Sequence, residues 1–401
     1  MKTTTRLALA PLRSGATPKP QNVLSLLTGL FLLSLALPLH AFQNKVGDQG
    51  AAGRTIAGLH NIRVVASTID PTNGDQNPYG LVVVPKNAAT TGKLMPGDLL
   101  VSNINNANNV MGLGTTIELI QPSAAHPSPA TFFNGAASPI AMVLNANATN
   151  VWIANYGLEQ NGLQGDVQVI NNMGVPFAHG NITAPQLQGS WGQGFNGQAL
   201  GGTVPPAFFD TNVLTGAVYR LQKFILTPQG PNFAGATITR IAQLGHAGHT
   251  ILNVVGPQGM AWSKMDDTLY IADPVNNRIV AVPHSTTTTN GYFYTVYHGR
   301  PLNQPAGIAL NPLNGDLLIV NQGDNKMIEL ALSAHDADGG HVVGVRLLDK
   351  TKVQAGGVGS ALFGVAATVD PAGKLEVYFT NDNTNTVNLL SVGDFDGGDT
   401  E

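Results

Sequence analysis

Six times along this 401-residue chain a short apolar run ends in Asn or Asp: Asn103, Asn155, Asp210, Asp273, Asn321 and Asn381. Such side chains accept backbone N–H groups in tight turns, and their oxygens also serve cations and sugar-like ligands. Two readings follow, a set of turn caps or a set of ligand-binding oxygens. Four of the six are neutral amides, and a Ca²⁺ site recruits more carboxylates than that. Turn capping is therefore favoured. No cofactor is expected, with a divalent cation as the open alternative.

Other residues with chemical potential are more isolated. His246-Ala-Gly-His249 offers two imidazoles, but it lies in a Gly-rich connection and lacks the Glu of a zinc-protease helix. His335-Asp-Ala-Asp-Gly-Gly-His341 opens like a calcium loop without its third ligand or closing Glu. A hairpin turn between outer strands is the expectation there. Trp191 sits among amides and glycines in Gln-Gly-Ser-Trp-Gly-Gln-Gly-Phe195. It suits stacking on a sugar or peptide, and equally suits plugging a loop onto the strands below. Trp152 and Trp262 fall in strand patterns and read as core. No Gly-x-Ser-x-Gly elbow, Walker loop or dinucleotide fingerprint is present. With no cysteine, disulfides, thiol nucleophiles and Cys-ligated metals are excluded.

The elements that must position these residues recur. Gly259 to Val282 reads as an apolar strand, a Met-Asp-Asp turn, a second strand ending at Asp273, a polar turn and a third strand. The phrase returns from Gly307 through Asn321 to Met327, and from Gly364 through Asn381 to Thr386. Upstream copies run from Gly80 past Asn103 and from Pro139 past Asn155. A worn copy carries Phe208-Phe-Asp210, and spacing puts its first strand near Gly197. Copies therefore start near 80, 139, 197, 259, 307 and 364. Short strands bounded by Gly, Pro, Asn and Asp, without a 3.6-residue stripe, predict an all-β fold. One four-stranded blade per copy makes a six-bladed β-propeller. The last blade has only three strands, and Asn61 to Ala66 is a spare strand that closes the ring from the N-terminal side. In such a ring, second-strand ends and first-strand beginnings share a face. The six Asx residues would then surround one mouth of a central channel. The stretches Phe177 to Phe195, Asn103 to Thr116 and Tyr156 to Gly165 would join them as loops, where binding usually resides.

The copy at 259–282 resembles the NHL-repeat consensus: Gly-Met-Ala, then Leu-Tyr-Ile-Ala-Asp273, then Asn276 and Arg278 before an apolar strand. The copy at 307–330 is similar, with Lys326 in place of the arginine. This resemblance implies a propeller more than an activity. Gluconolactonase-type propellers resemble the chain in blade number and hold a metal with Glu, Asn and Asp at or before the innermost strands. Here those positions read Tyr79, Pro139, Gln258, Ala306 and Phe363, of which Gln258 alone is a candidate ligand, and a poor one. Lyase-type propellers use His with metal at the channel, a role open to His246, His249 or His298.

Residues 1–41 carry Lys2, Arg6, Arg13 and Lys19, no acid, and an apolar run from Val23 to Leu37 before Pro38-Leu-His-Ala41. They read as a cleavable signal peptide, which predicts a periplasmic or secreted protein. Residues 42–58 are expected to be a linker, 59–393 the propeller and 394–401 an acidic tail. Past Ala41 there remain 16 Lys and Arg against 24 Asp and Glu, a net charge of −8. That argues against nucleic acid as a partner. Charged residues are only 11% of the chain, with Asn, Gln, Thr and Gly filling polar positions. The expectation is a monomeric binding scaffold for a polar small molecule, glycan or protein. The candidate contacts are the six Asx residues and Trp191, and the alternative is a lyase or metal-dependent hydrolase acting at the channel mouth.

Overall fold

A computed structural model describes residues 53–88, 91–157, 164–196, 206–227, 230–250, 253–332 and 339–393. The expected signal segment and acidic tail lie outside these. The fold is an all-β, six-bladed propeller, each blade a four-stranded antiparallel sheet. From the channel outward, blade 1 comprises Gln76–Val83, Leu99–Asn105, Thr116–Ile120 and Pro129–Asn134. Blade 2 comprises Pro139–Leu144, Asn150–Asn155, Asp166–Asn171 and Pro176–Thr183. Blade 3 comprises Ser190–Phe195, Phe208–Asn212, Ala217–Gln222 and Thr237–Gln243. Blade 4 comprises Met260–Ser263, Thr268–Asp273, Arg278–Val282 and Tyr294–His298. Blade 5 comprises Pro305–Leu310, Leu317–Asn321, Lys326–Leu332 and Gly340–Leu347. Blade 6 comprises Val365–Val369, Leu375–Asn381 and Thr386–Ser391, and Asn61–Ser67 pairs antiparallel with the last of these. Among the described residues no helix is long and apolar enough to cross a membrane.

The second strands are buried on both faces, which explains why Val151-Trp-Ile-Ala and Leu317-Leu-Ile-Val are continuous apolar runs rather than alternating ones. Six apolar clusters fill the six gaps between blades. Trp152 with Phe208 bridges blades 2 and 3, and Val65 with Leu99 and Leu389 bridges blades 6 and 1. First strands approach so closely that five blades carry glycine at the contact point, Gly80, Gly192, Gly259, Gly307 and Gly364, with Ala141 in blade 2. A Cβ on Gly192 would lie 2.0 Å from the Gln258 carbonyl, and one on Gly307 would lie 2.2 Å from that of Phe363.

Three expectations need correction. The first strand of blade 3 is Ser190–Phe195, not a segment near Gly197. Its glycines imitate a loop, but Gly192 is there for inter-blade contact. The stretch Phe177 to Phe195 is therefore no loop, because its first part belongs to the fourth strand of blade 2. Nor is all of 42–58 a linker. Gly53 O accepts from Leu375 N, and Ile56, in a 3₁₀ turn at Ile56–Gly58, packs with Leu59 between blades 5 and 6.

Candidate functional site

Strand register assigns the Asx position in each blade. Asn103, Asn155 and Asn321 pair with Pro78, Pro139 and Pro305 at the start of the first strands. In blade 3 the equivalent pair is Ser190 with Asn212. Asp210 is therefore two residues early, opposite Gln193, and fully buried with its carboxyl accepting from Ser190 Oγ at 2.8 Å. Burial raises its pKa well above the ordinary carboxylate value, against the lowering effect of Ser190. A worn repeat with two Asx residues close together hid the phase.

The Asx side chains are buried and bonded to protein. Asn103 Nδ2 donates to Thr68 O (2.8 Å), Asn155 Nδ2 to Asp166 Oδ1 (2.7 Å), and Asn212 Nδ2 to Gln186 O and Gln188 O. Asp273 accepts from Asn276 N and from Arg278 Nε, the latter at 2.7 Å. Asn321 Nδ2 donates to Pro301 O, and Asn381 Nδ2 to Asp349 Oδ2. Most of these bonds tie a blade's own turn to the connection arriving from the previous blade. They occupy the amide donors and cap turns, which is the chemistry of Asx residues in loops.

The channel mouth is instead made by two neighbouring positions. One lies just before the inter-blade glycine, or Ala141 in blade 2: Tyr79, Ile140, Trp191, Gln258, Ala306 and Phe363. Ile140, not Pro139, holds this place in blade 2, because Pro139 pairs with Asn155 as Pro78 does with Asn103 and Pro305 with Asn321, and the mouth residue comes next. The other position directly follows the Asx residue: Ile104, Tyr156, Val213, Pro274, Gln322 and Asp382. Blades 1 to 3 supply an apolar half in which Tyr79, Ile104, Ile140, Tyr156, Trp191 and Val213 form one buried cluster. Trp191 meets Tyr79 and Tyr156 edge-on, at centroid separations of 5.6 and 5.7 Å, and Phe363 stacks on Tyr79 at 4.0 Å. Trp191 is thus a first-strand residue, 5% exposed, that narrows the channel rather than standing in a loop.

Blades 4 to 6 place Gln258, Gln322 and Asp382 at the mouth, beside Pro274, Ala306 and Phe363. Gln322 Nε2 donates to Gln258 Oε1 at 2.5 Å. Asp382, half-buried, lies close enough to Tyr79 for its charge to push the phenol's pKa further up, beyond the larger effect of burial. Burial lifts the Asp382 carboxyl to about 6, and among the described residues its side chain has no hydrogen-bond or ion-pair partner. Neither Gln322 nor Asp382 stood out in the sequence, though a scan of the residue following each Asx would have found both. Among the described residues the mouth holds one carboxylate, fewer than a divalent cation ordinarily gathers. Among the described residues no three His, Asp or Glu side chains group as metal ligands.

The remaining candidates lie elsewhere. His298 is exposed at the end of the outermost strand of blade 4, away from the channel. His246, also exposed, precedes a hairpin of Ala247–Thr250 with Asn253–Val255, in the connection from blade 3 to blade 4. Most of the 335–341 stretch, and 158–163 of the Tyr156 to Gly165 insertion, fall outside the described residues, but the strands flanking 333–338 pair antiparallel. Residues 106–115 fold back over blade 1, with Asn105 Nδ2 donating to Asn109 Oδ1 and Asn105 bridged to Met111. Trp152 is fully buried, whereas Trp262 is half-buried with Nε1 donating to Asp267 Oδ1.

No family model and no curated protein matches the chain. It is similar in structure to a Bacteroides thetaiotaomicron protein of unknown function, with 11% identity, a TM-score of 0.53, and 82% of this chain and 75% of that one covered. Two weaker likenesses are an auxiliary nutrient binding protein from the same organism (10% identity, TM-score 0.48, 82% and 76% covered) and a gluconolactonase from Xanthomonas campestris (13% identity, TM-score 0.47, 82% and 89% covered). At such identities the likeness concerns the fold alone, a six-bladed β-propeller.

Proposed function

We propose that the chain is an exported binding protein of the periplasm or the cell exterior, taking a polar ligand of the glycan type at the mouth on its loop-rich face. The NHL-like phrases at 259–282 and 307–330 fit that scaffold, and the leader-like first 41 residues fit export. One observation carries the reading: an aromatic half-ring faces Gln258, Gln322 and a carboxyl that spends none of its hydrogen-bonding capacity on the described protein. Aromatic rings receive the apolar face of a sugar while amides and a carboxylate receive its hydroxyls, the usual division of labour in a small-molecule site. Calorimetric titration with a panel of neutral oligosaccharides tests it. A binder is expected, with Asp382→Asn and Gln322→Ala each weakening it about tenfold. A panel without any binder, or variants that retain full affinity, rejects the assignment.

A second reading, an enzyme at the same mouth, is favoured by Asp382 alone. A carboxyl held at about 6 suits general acid–base work near neutral pH. Turnover of a bound ligand, abolished in Asp382→Asn with binding retained, would replace the first reading by this one.

A further inference from the structure

Behind the mouth, the six first strands enclose a cavity of about 500 Å³, within the range of roughly 300–1,000 Å³ typical of small-molecule sites. Its two ends differ. At the loop-rich end Tyr79, Ile140, Trp191 and Ala306 are buried and the rings of blades 1, 3 and 6 touch one another. At the other end Val83, Leu144, Phe195, Trp262, Leu310 and Ala367 are all half-buried, so the cavity opens on the opposite face of the propeller. Among the described residues no charged side chain lines it; Asn145, Gln193 and Gln258 bring amides, and Tyr79, Trp191 and Trp262 bring a hydroxyl and two indole N–H groups on otherwise apolar rings.

We propose that this channel is a second binding site, filled from the face opposite the Asx turns by an uncharged, largely apolar molecule bearing hydroxyl or carbonyl groups. Exclusion of charge follows from the lining, because an ion entering would lose its hydration and meet no counter-charge. Hydrophobic burial against Val, Leu, Met and aromatic walls favours an apolar body. Hydrogen-bonding groups on the ligand follow from topology. Each first strand pairs with one neighbour only; near the mouth some of the backbone groups on its other edge are taken by a neighbouring blade, as Gly259 N by Ala306 O and Gln258 O by Thr211 Oγ1, and further along the strand that edge faces the channel. This site neither shares nor needs the glycan-type ligand of the mouth.

The test titrates the full chain with the neutral fluorophore N-phenyl-1-naphthylamine. A single saturable site is expected, displaced by 1-dodecanol and displaced about tenfold less well or worse by dodecylamine and by dodecanoate at pH 8. Ala146→Trp, which fills the open end, and Leu310→Lys, whose stem keeps the packing while its ammonium stands in the opening, are each expected to weaken the probe about tenfold. Thermal melts establish which variants are folded. Absence of saturable binding to the natural chain, equal displacement by charged analogues, or undiminished binding to folded variants overturns the proposal. Should both variants unfold, discrimination between neutral and charged displacers by the natural chain decides. The probe titration requires no loop-face ligand, so this assignment and that of the mouth stand or fall separately.

Discussion

Glu118 and Glu329 lie on the third strands of blades 1 and 5, one register position out of step with each other (opposite Val101 and Leu318), both fully buried and on either side of the blade that receives the N-terminal strand. Glu329 accepts from Ile56 N at 2.7 Å and from Asn311 Nδ2 at 2.8 Å. Burial first, and the Asp70 charge second, push the Glu118 carboxyl up to about 8. Burial followed by the Glu329 charge lifts Asp316 to about 7. Asp70, despite partial desolvation, is held below its ordinary value by hydrogen bonds from Thr131, Asn73 and Thr72. An unfolded Glu ionises around 4.5, whereas folded Glu118 keeps its proton to about 8. Across that window the folded chain binds more protons, so stability falls as pH rises. Thermal melts from pH 5 to 8.5 should show the decline, on the order of a few kcal/mol, and Glu118→Gln should flatten part of it. An identical slope in the variant would remove Glu118 as its source. Below the ordinary Asp value of 3.8 the sign reverses, because Asp70 must then be protonated against its bonds.

Between elements, the blades are joined by a hydroxyl that serves two strands at once. Thr211 Oγ1 accepts from Gly192 N at 2.7 Å and donates to Gln258 O of the next blade at 3.0 Å. Ser102 does the same between Gly80 N and Ile140 O, and Thr380 receives Gly364 N. Thr211→Val preserves shape but strands a buried N–H and a buried carbonyl. It is expected to cost about 1–3 kcal/mol in denaturant midpoint measurements, more than Thr380→Val, which loses one such bond. Equal and negligible costs would mean that apolar packing alone sets the blade spacing. The first strands were the hardest elements to read. Gly259-Met-Ala-Trp was legible because apolar residues surround its glycine, while Ser190-Trp-Gly-Gln-Gly-Phe carries two glycines in six residues and imitates a loop.

Across the whole molecule, closure depends on the segment Gly53 to Ser67. It pairs with Thr386–Ser391 and buries Ile56, Leu59, Val65 and Ala66 against blades 5, 6 and 1. A chain beginning after Ser67 would leave an unpaired edge strand and open apolar surface, the condition that promotes edge-to-edge association. Size-exclusion chromatography should find it aggregated or lacking a cooperative melt. A monomer with natural stability would show that the ring holds without its clasp.

What the sequence determined by itself is whatever is local. Runs of apolar residues between Asx-rich turns specify strands, and their sixfold return specifies the blade count, because strand formation and turn capping depend on residues a few positions apart. The Asx residues belong to this local code, and their hydrogen bonds stay within turns and adjoining connections. The tertiary structure alone decided the mouth and the channel. Tyr79, Trp191 and Phe363 meet only because ring closure brings three blades together over a common axis, and the carboxyl of Asp382, which finds no partner among the described residues, has meaning only beside them. Such contacts join residues more than a hundred positions apart, a separation that no periodicity in the chain records.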